Sequence, residues 1–240
     1  MRSAILAFTG ACALAGAAAA SAAACKAESA AALTPVIELY TSEGCSSCPP
    51  ADRWLSTLKP SVANGRAVVQ AFHVGYWDYI GWVDRFASPV FTERQRQIAR
   101  RNGQSGIYTP QLVRNGQDWR DYSRALAGGE PASARIAMQQ QSDDSFEALV
   151  TPAAGVGAWA AYWTVTEHGH SSKVRAGENA GEFLQHDFVV RQYVPAGEYR
   201  SAARIILRAV ASQPFHPRRV NLVVFDPKSG KPLQALSLGC

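Results

Sequence analysis

Cys45 and Cys48 are the residues best placed by type and spacing to do chemistry. They sit two residues apart in Val36-Ile-Glu-Leu-Tyr-Thr-Ser-Glu-Gly-Cys-Ser-Ser-Cys-Pro-Pro50. At that spacing one sulfur can attack a disulfide and the other can resolve the mixed disulfide that forms. Val36 to Tyr40 reads as a buried strand, and Ala51, Trp54, Leu55 and Leu58 recur at helical spacing. The pair therefore falls where a strand hands over to a helix. The first N–H groups of a helix lack internal partners, and its dipole places partial positive charge there. Both effects favour the thiolate, the reactive form of a cysteine. Pro49 and Pro50 cost little in a first turn, where the N–H groups have no intrahelical acceptor. The same C-x-x-C spacing also serves metal sites and structural bridges. Three chemistries stay open on the motif alone: thiol–disulfide exchange, binding of a soft cation such as copper(I), and a permanent cross-link that leaves a non-catalytic binding module.

The elements around the pair decide what it can reach. Arg66-Ala-Val-Val-Gln-Ala-Phe-His-Val74 is apolar on both faces, as expected of a central strand covered on both sides. His73 ends that strand toward the cysteine edge, where it can tune the thiolate or move protons. Gly75 to Phe86 packs five aromatics among Gly and Asp residues and reads as an insertion, residues 75–87, rather than a regular element. It can pack as a satellite core or line the cysteine site, with Tyr76 and Trp77 as a binding surface. Ser88 to Arg101 reads as a helix with Ser88 as N-cap and Pro89 at its first position. Thr109-Pro110 precedes a strand that ends at an Asn115-Gly116 hairpin turn. Trp119 to Tyr122 is expected as its partner strand, and Pro131 to Gln141 as a closing helix.

Beyond Ser142 the pattern becomes a series of short β-type runs. In Trp159 to Thr166, Trp159, Ala161, Trp163 and Val165 alternate with Ala160, Tyr162, Thr164 and Thr166, the signature of a half-buried strand. Asp226-Pro-Lys-Ser-Gly230 is a hairpin turn. Four segments are expected: 1–24 a signal peptide, 25–34 a linker, 35–142 an α/β unit carrying the aromatic insertion, and 143–240 a smaller, β-sandwich-like unit.

Composition narrows the function classes. The 240 residues are 47% hydrophobic and 18% charged, enough apolar surface for a sizeable core. A net charge of +5 without any lysine/arginine block gives no electrostatic footprint for nucleic acid. Neither a Gly-rich phosphate loop nor a serine nucleophile elbow is visible, and no cofactor is expected. Glu167-His-Gly-His170, with His186 or His216, lacks an accompanying cysteine pair, and no metal is assigned to it. Asp78 and Asp84 form a candidate acid/base pair without supporting motif. Arg2 followed by an Ala-rich apolar run to Ala24 reads as a secretory signal, which points to a periplasmic or secreted protein. Cys25 follows Ala22-Ala-Ala24, a partial likeness to a lipoprotein box, so it is read either as an acyl anchor or as one half of a bridge to Cys240.

The order strand, C-x-x-C, helix, strand, helix, then Gly106-Ile-Tyr-Thr-Pro-Gln-Leu-Val-Arg-Asn-Gly116 resembles the thioredoxin fold. The expected fold class is an α/β thioredoxin-like fold followed by a smaller β-sandwich-like domain. In more detail, Glu38-Leu-Tyr-Thr-Ser-Glu-Gly-Cys-Ser-Ser-Cys-Pro-Pro-Ala-Asp52, His73-Val-Gly-Tyr-Trp-Asp-Tyr-Ile-Gly-Trp82 and Tyr108-Thr-Pro-Gln111 resemble a family of exported bacterial thioredoxin-like proteins labelled as a domain of unknown function. The resemblance implies a cis proline at Pro110 facing the cysteines and a Thr109-Pro110 platform for an extended client. The expected function, from the strand–C-x-x-C–helix context and the matching proline, is an exported thiol–disulfide oxidoreductase with Cys45 as attacking thiolate, Cys48 as resolving thiol, and exported clients or a redox partner protein. Gly44 replaces the tryptophan usual before the first cysteine, and Ser46-Ser47 replaces Gly-Pro between the pair. That dipeptide tunes redox poise, so the direction of exchange is left open.

Overall fold

The computed structural model describes residues 25–240, so the segment read as a signal peptide lies outside the described residues. The chain opens with a short strand β1 (Lys26–Glu28), then β2 (Val36–Thr41), helix α1 (Cys48–Ser56), helix α2 (Lys59–Ala63) and β3 (Val68–His73). Helix α3 (Pro89–Arg101), β4 (Gln111–Arg114) and β5 (Gln117–Asp118) follow. After a short 3₁₀ turn come β6 (Ala134–Ser142), β7 (Ser145–Pro152), β8 (Trp159–Glu167), β9 (His170–Lys173) and β10 (Phe183–His186). The last four are β11 (Val189–Tyr199), β12 (Ala203–Arg208), β13 (Arg218–Phe225) and β14 (Pro232–Leu238). The protein is a strand-rich, mixed α/β molecule. Its main sheet has eight strands in the order β14-β13-β8-β11-β3-β2-β4-β5; a four-stranded sheet β1-β6-β7-β12 and a β9–β10 ribbon complete it.

The centre of the main sheet is what holds the cysteines. β2 and β3 run parallel, Thr41 level with His73, and every residue of both is buried. Both faces are covered, as the continuous apolar runs require. Leu55 and Leu58 of the α1 region and Val62 of α2 pack on Ile37, Leu39, Val69 and Leu112 on one side. On the other, Phe91 and Ile98 of α3 pack on Tyr40, Phe72 and Val113. β4 runs antiparallel to β2 with Gln111 opposite Tyr40.

The strands expected to form a separate unit complete this same sheet. β11 pairs parallel with β3 at Val189 and Ala71, and β8 and β13 extend it antiparallel. The expected boundary at 142/143 falls in the turn of the β6–β7 hairpin, where Ser142 pairs with Ser145. The antiparallel four-stranded sheet shares one core with β8 of the mixed sheet: Ile136, Met138, Phe146, Val150 and Leu207 cluster with Trp159, Trp163 and Val165.

Four expectations change. Pro131 to Gln141 is not a helix; it forms β6, whose Ala134, Ile136 and Met138 point inward with exposed residues between them. Ala, Met and Gln favour helix locally, but pairing with β7 and burial on β8 override a weak propensity. β8 is buried on both faces rather than one. Its second row sits under α3: Tyr162 Oη donates to Glu38 Oε1 (3.0 Å), Thr164 Oγ1 to Gln70 Oε1 (2.7 Å), and Arg94 covers the Tyr162 ring at 4.1 Å. The partner of β4 is Gln117–Asp118; the chain then leaves the sheet through a 3₁₀ turn, Tyr122–Arg124, with Asp121 accepting from Ser123 N. The stretch 25–34 is tied down as well. β1 pairs with β6, and the Gln234 amide receives Thr34 N and donates to Ala30 O and Ala32 O. A Cys25–Cys240 disulfide joins the two ends of the described chain, with Cα atoms 5.9 Å apart.

Candidate functional site

The cysteine turn begins where β2 ends. Cys45 N donates to Ser42 O (3.2 Å) and Cys48 N to Cys45 O (3.1 Å), a tight turn that delivers Cys48 to the first position of α1. The two sulfurs form a disulfide with Cα atoms 5.4 Å apart. Both are buried, Cys45 at 1% exposure and Cys48 at 0%. The pair is therefore covered rather than open to a reactant.

Two chain segments form the cover. The first is the aromatic insertion. A Cβ on Gly44 would stand 2.9 Å from Trp77 Cβ, so only glycine fits beneath this tryptophan. Trp77 Nε1 donates to Thr109 Oγ1 (2.7 Å), which ties the insertion to the Thr109-Pro110 loop. The Thr109–Pro110 peptide bond is cis, and the β2–β4 register brings Pro110 to the sheet end that carries the cysteine turn. Trp77, Thr109 and the turn are thus brought together. Tyr76 turns away and packs on the Tyr40–Phe72–Phe91 core. Trp82 Nε1 donates to Glu43 Oε2 (2.7 Å).

The second segment is the strap 174–182 between β9 and β10. Asn179 Nδ2 donates to Glu43 O (2.8 Å) and Cys45 O (3.0 Å), and Ser46 N donates to Glu178 Oε2 (2.9 Å). Gly177, at φ +77°, lies against Ile80 of the insertion. Nothing local announces these contacts, which join residues 132 to 136 positions apart.

A buried acid–base cluster underlies the turn. His73 Nδ1 lies 2.7 Å from Asp84 Oδ2, and Asp84 also receives Glu43 N (3.0 Å) and Phe86 N (2.9 Å). Burial works against the His73 cation, but the charge of Asp84 and its hydrogen bond outweigh it and hold the imidazole pKa above its ordinary value. Burial likewise pushes Asp84 up, and the His73 charge with the hydrogen bonds it accepts brings it net below the usual carboxylate value. Asp78, the expected acid/base partner of Asp84, instead accepts Asp84 N (3.2 Å). His186 stacks edge-on to His73 with centroids 4.9 Å apart. Its Nε2 stands 3.2 Å from Glu43 Oε1, within ion-pair range but off hydrogen-bond alignment. Asp52, one helical turn after Cys48, accepts from Thr41 Oγ1 (3.0 Å) and is raised, chiefly by burial. His73 was legible from sequence. Asp52 carried an available signal, its i, i+4 spacing from Cys48; Glu43, His186, Glu178 and Asn179 carried none.

The Glu167–His170 turn is a separate structural knot. His170 Nε2 meets Glu167 Oε2 (2.9 Å), the ring stacks on His216 at 3.8 Å, and burial foremost lowers its pKa to about 4. Among the described residues, no three His, Cys, Asp or Glu side chains are grouped to hold a metal. No helix among them is long and apolar enough to cross a membrane.

Fold and site define a mixed α/β protein with a C-x-x-C pair in disulfide geometry at a helix N-terminus. The chain belongs to a family described as a protein of unknown function (DUF1223), which matches residues 36–225. It is similar to a crystallographically solved protein from Agrobacterium tumefaciens, with 29% identity and a TM-score of 0.66, over 86% of this chain and 94% of that one. No curated protein matches.

Proposed function

We propose that this protein is an exported thiol–disulfide oxidoreductase built on a thioredoxin-like fold. One observation carries the reading: a sulfur pair at the first turn of α1, at the sheet end that also carries the Thr109–cis-Pro110 loop. In the reduced protein, the Cys45 thiolate attacks a client disulfide and expels one client thiolate. Cys48 then attacks the Cys45 sulfur of the mixed disulfide, the Cys45–Cys48 bond forms, and the second client thiolate leaves. The pair loses two electrons and two protons, and the client gains them; the reverse sequence oxidises a client dithiol. The α1 dipole favours the Cys45 thiolate. Thr109 and Pro110 offer main-chain groups to an extended segment, and Trp77 walls the same side. His73, held by Asp84, biases the charge beneath the turn.

An oxidising, periplasmic or secreted setting fits the Cys25–Cys240 bridge and the Ala-rich leader. A bridged Cys25 sulfur has no free valence for a lipid thioether, which favours the staple over the acyl anchor. A second reading, a permanent disulfide in a binding module, is favoured by the burial of both sulfurs. The reduction potential separates the two. Exchange proteins lie at about −270 to −120 mV, whereas structural disulfides fall below about −300 mV. A Cys48→Ser variant is expected to trap mixed disulfides through Cys45; no adducts, together with a potential in the structural range, would leave only the binding module.

A further inference from the structure

We propose that Asn179 and Glu178 set the substrate class of the cysteine pair: their strap admits an extended peptide in preference to a small free thiol. The inference rests on the exchange reading above and deepens it. Among the described residues, two strap side chains bond to the turn, both to main-chain atoms: Glu43 O, Cys45 O and Ser46 N. Its own shape does not depend on those bonds. Val174 N donates to Glu182 O (3.0 Å), Gly181 N to Val174 O (2.9 Å) and Glu182 N to Asn179 O (3.0 Å). The strap is therefore a preformed loop on the β9–β10 ribbon, latched to the turn by three hydrogen bonds and packed at Gly177 against Ile80 of the insertion. Glu178 and Ala180 face solvent while Asn179 is buried, so the latch is thin.

The chemistry of the latch defines what can replace it. The turn presents two carbonyl acceptors and one N–H donor. An extended peptide carries N–H and C=O groups in alternation and can take over such main-chain bonds as it docks. The cost of lifting the strap is then recovered in the same step. A small dithiol has no peptide groups to offer and reacts only in the fraction of molecules whose strap has already lifted. Trp77, held by Thr109, forms the opposite wall, so an occupant would lie between the strap side and the Thr109-Pro110 loop.

The test uses the full-length oxidised protein and two reductants: dithiothreitol and a linear, unstructured peptide bearing two cysteines. In each case the Cys45–Cys48 bond breaks, a disulfide forms in the reductant, and two protons pass to the protein sulfurs. Asn179→Ala removes two latch bonds and is expected to speed reduction by dithiothreitol roughly tenfold. Glu178→Gln, at an exposed position, is expected to speed it about threefold. The peptide rate should change much less, so the preference for peptide falls in both variants. Glu178→Gln keeps the test decisive if Asn179→Ala does not fold. Dithiothreitol rates equal to wild type in the folded variants, or a peptide preference that survives them, would overturn the proposal. Failure of the exchange reading would show elsewhere, as an equilibrium potential in the structural range, and leaves the rate comparison legible.

Discussion

The protein contains the same bond twice, and the surroundings differ. Cys25–Cys240 closes a span of 215 residues at the rim of the sandwich, with Cys240 exposed. The neighbouring concavity of about 490 Å³ is lined by residues such as Phe146, Phe215 and Leu238. Cys45–Cys48 spans three positions, lies wholly buried, and stands above His73, Asp84, Asp52, Glu43 and His186. A cross-link meant only to hold needs a long loop and indifferent neighbours, because its effect lies in restricting the unfolded chain. A pair meant to react needs groups that respond to charge. On the proposed exchange reading, a buried acid–base cluster rather than the sulfurs themselves would separate the two roles.

The largest effect is expected from His73→Ala. It strands the Asp84 carboxylate in the interior and should cost about 3 kcal/mol or more in urea unfolding. A loss below about 1 kcal/mol would mean the cluster is not tightly coupled to the fold. Next, replacing both Cys25 and Cys240 by Ser should lower stability by roughly 2–4 kcal/mol while leaving the Cys45–Cys48 potential unchanged. A shifted potential would tie the two bonds together and break the contrast. Gly44→Ala should cost roughly 1–3 kcal/mol by pushing against Trp77, visible as altered tryptophan fluorescence with the staple intact.

The smallest effect is pH dependence. The lowered Asp84 contributes stability above its ordinary value of 3.8, lost as pH falls through the folded value. The raised His73 contributes fully below its ordinary value of 6.5, lost as pH rises through its folded value. His73→Gln should therefore remove the alkaline limb of the unfolding midpoint. An unchanged alkaline limb would place the responsible group elsewhere.

Local signals made much of the α/β half legible. The run at β2, the apolar spacing after Cys48, the Ser88-Pro89 helix start and the Asn115-Gly116 turn all act within a few residues and appear as expected. β6 misled because Ala, Met and Gln carry a helical preference that only pairing with β7 overrules. The strap escaped notice because Asn179 earns its position from Glu43 and Cys45, more than a hundred residues upstream. A polar residue in a Gly-flanked loop looks alike whether it faces water or a distant carbonyl.

The junction of β3 with β11 also governs how this protein can be divided. Truncation at residue 142 would leave β3 unpaired on its β11 side and β6 without its hairpin partner. The N-terminal fragment would then display unpaired, apolar strand edges of the kind that drive self-association. Halves expressed apart should aggregate, whereas trimming ahead of residue 25 spares every strand pairing described.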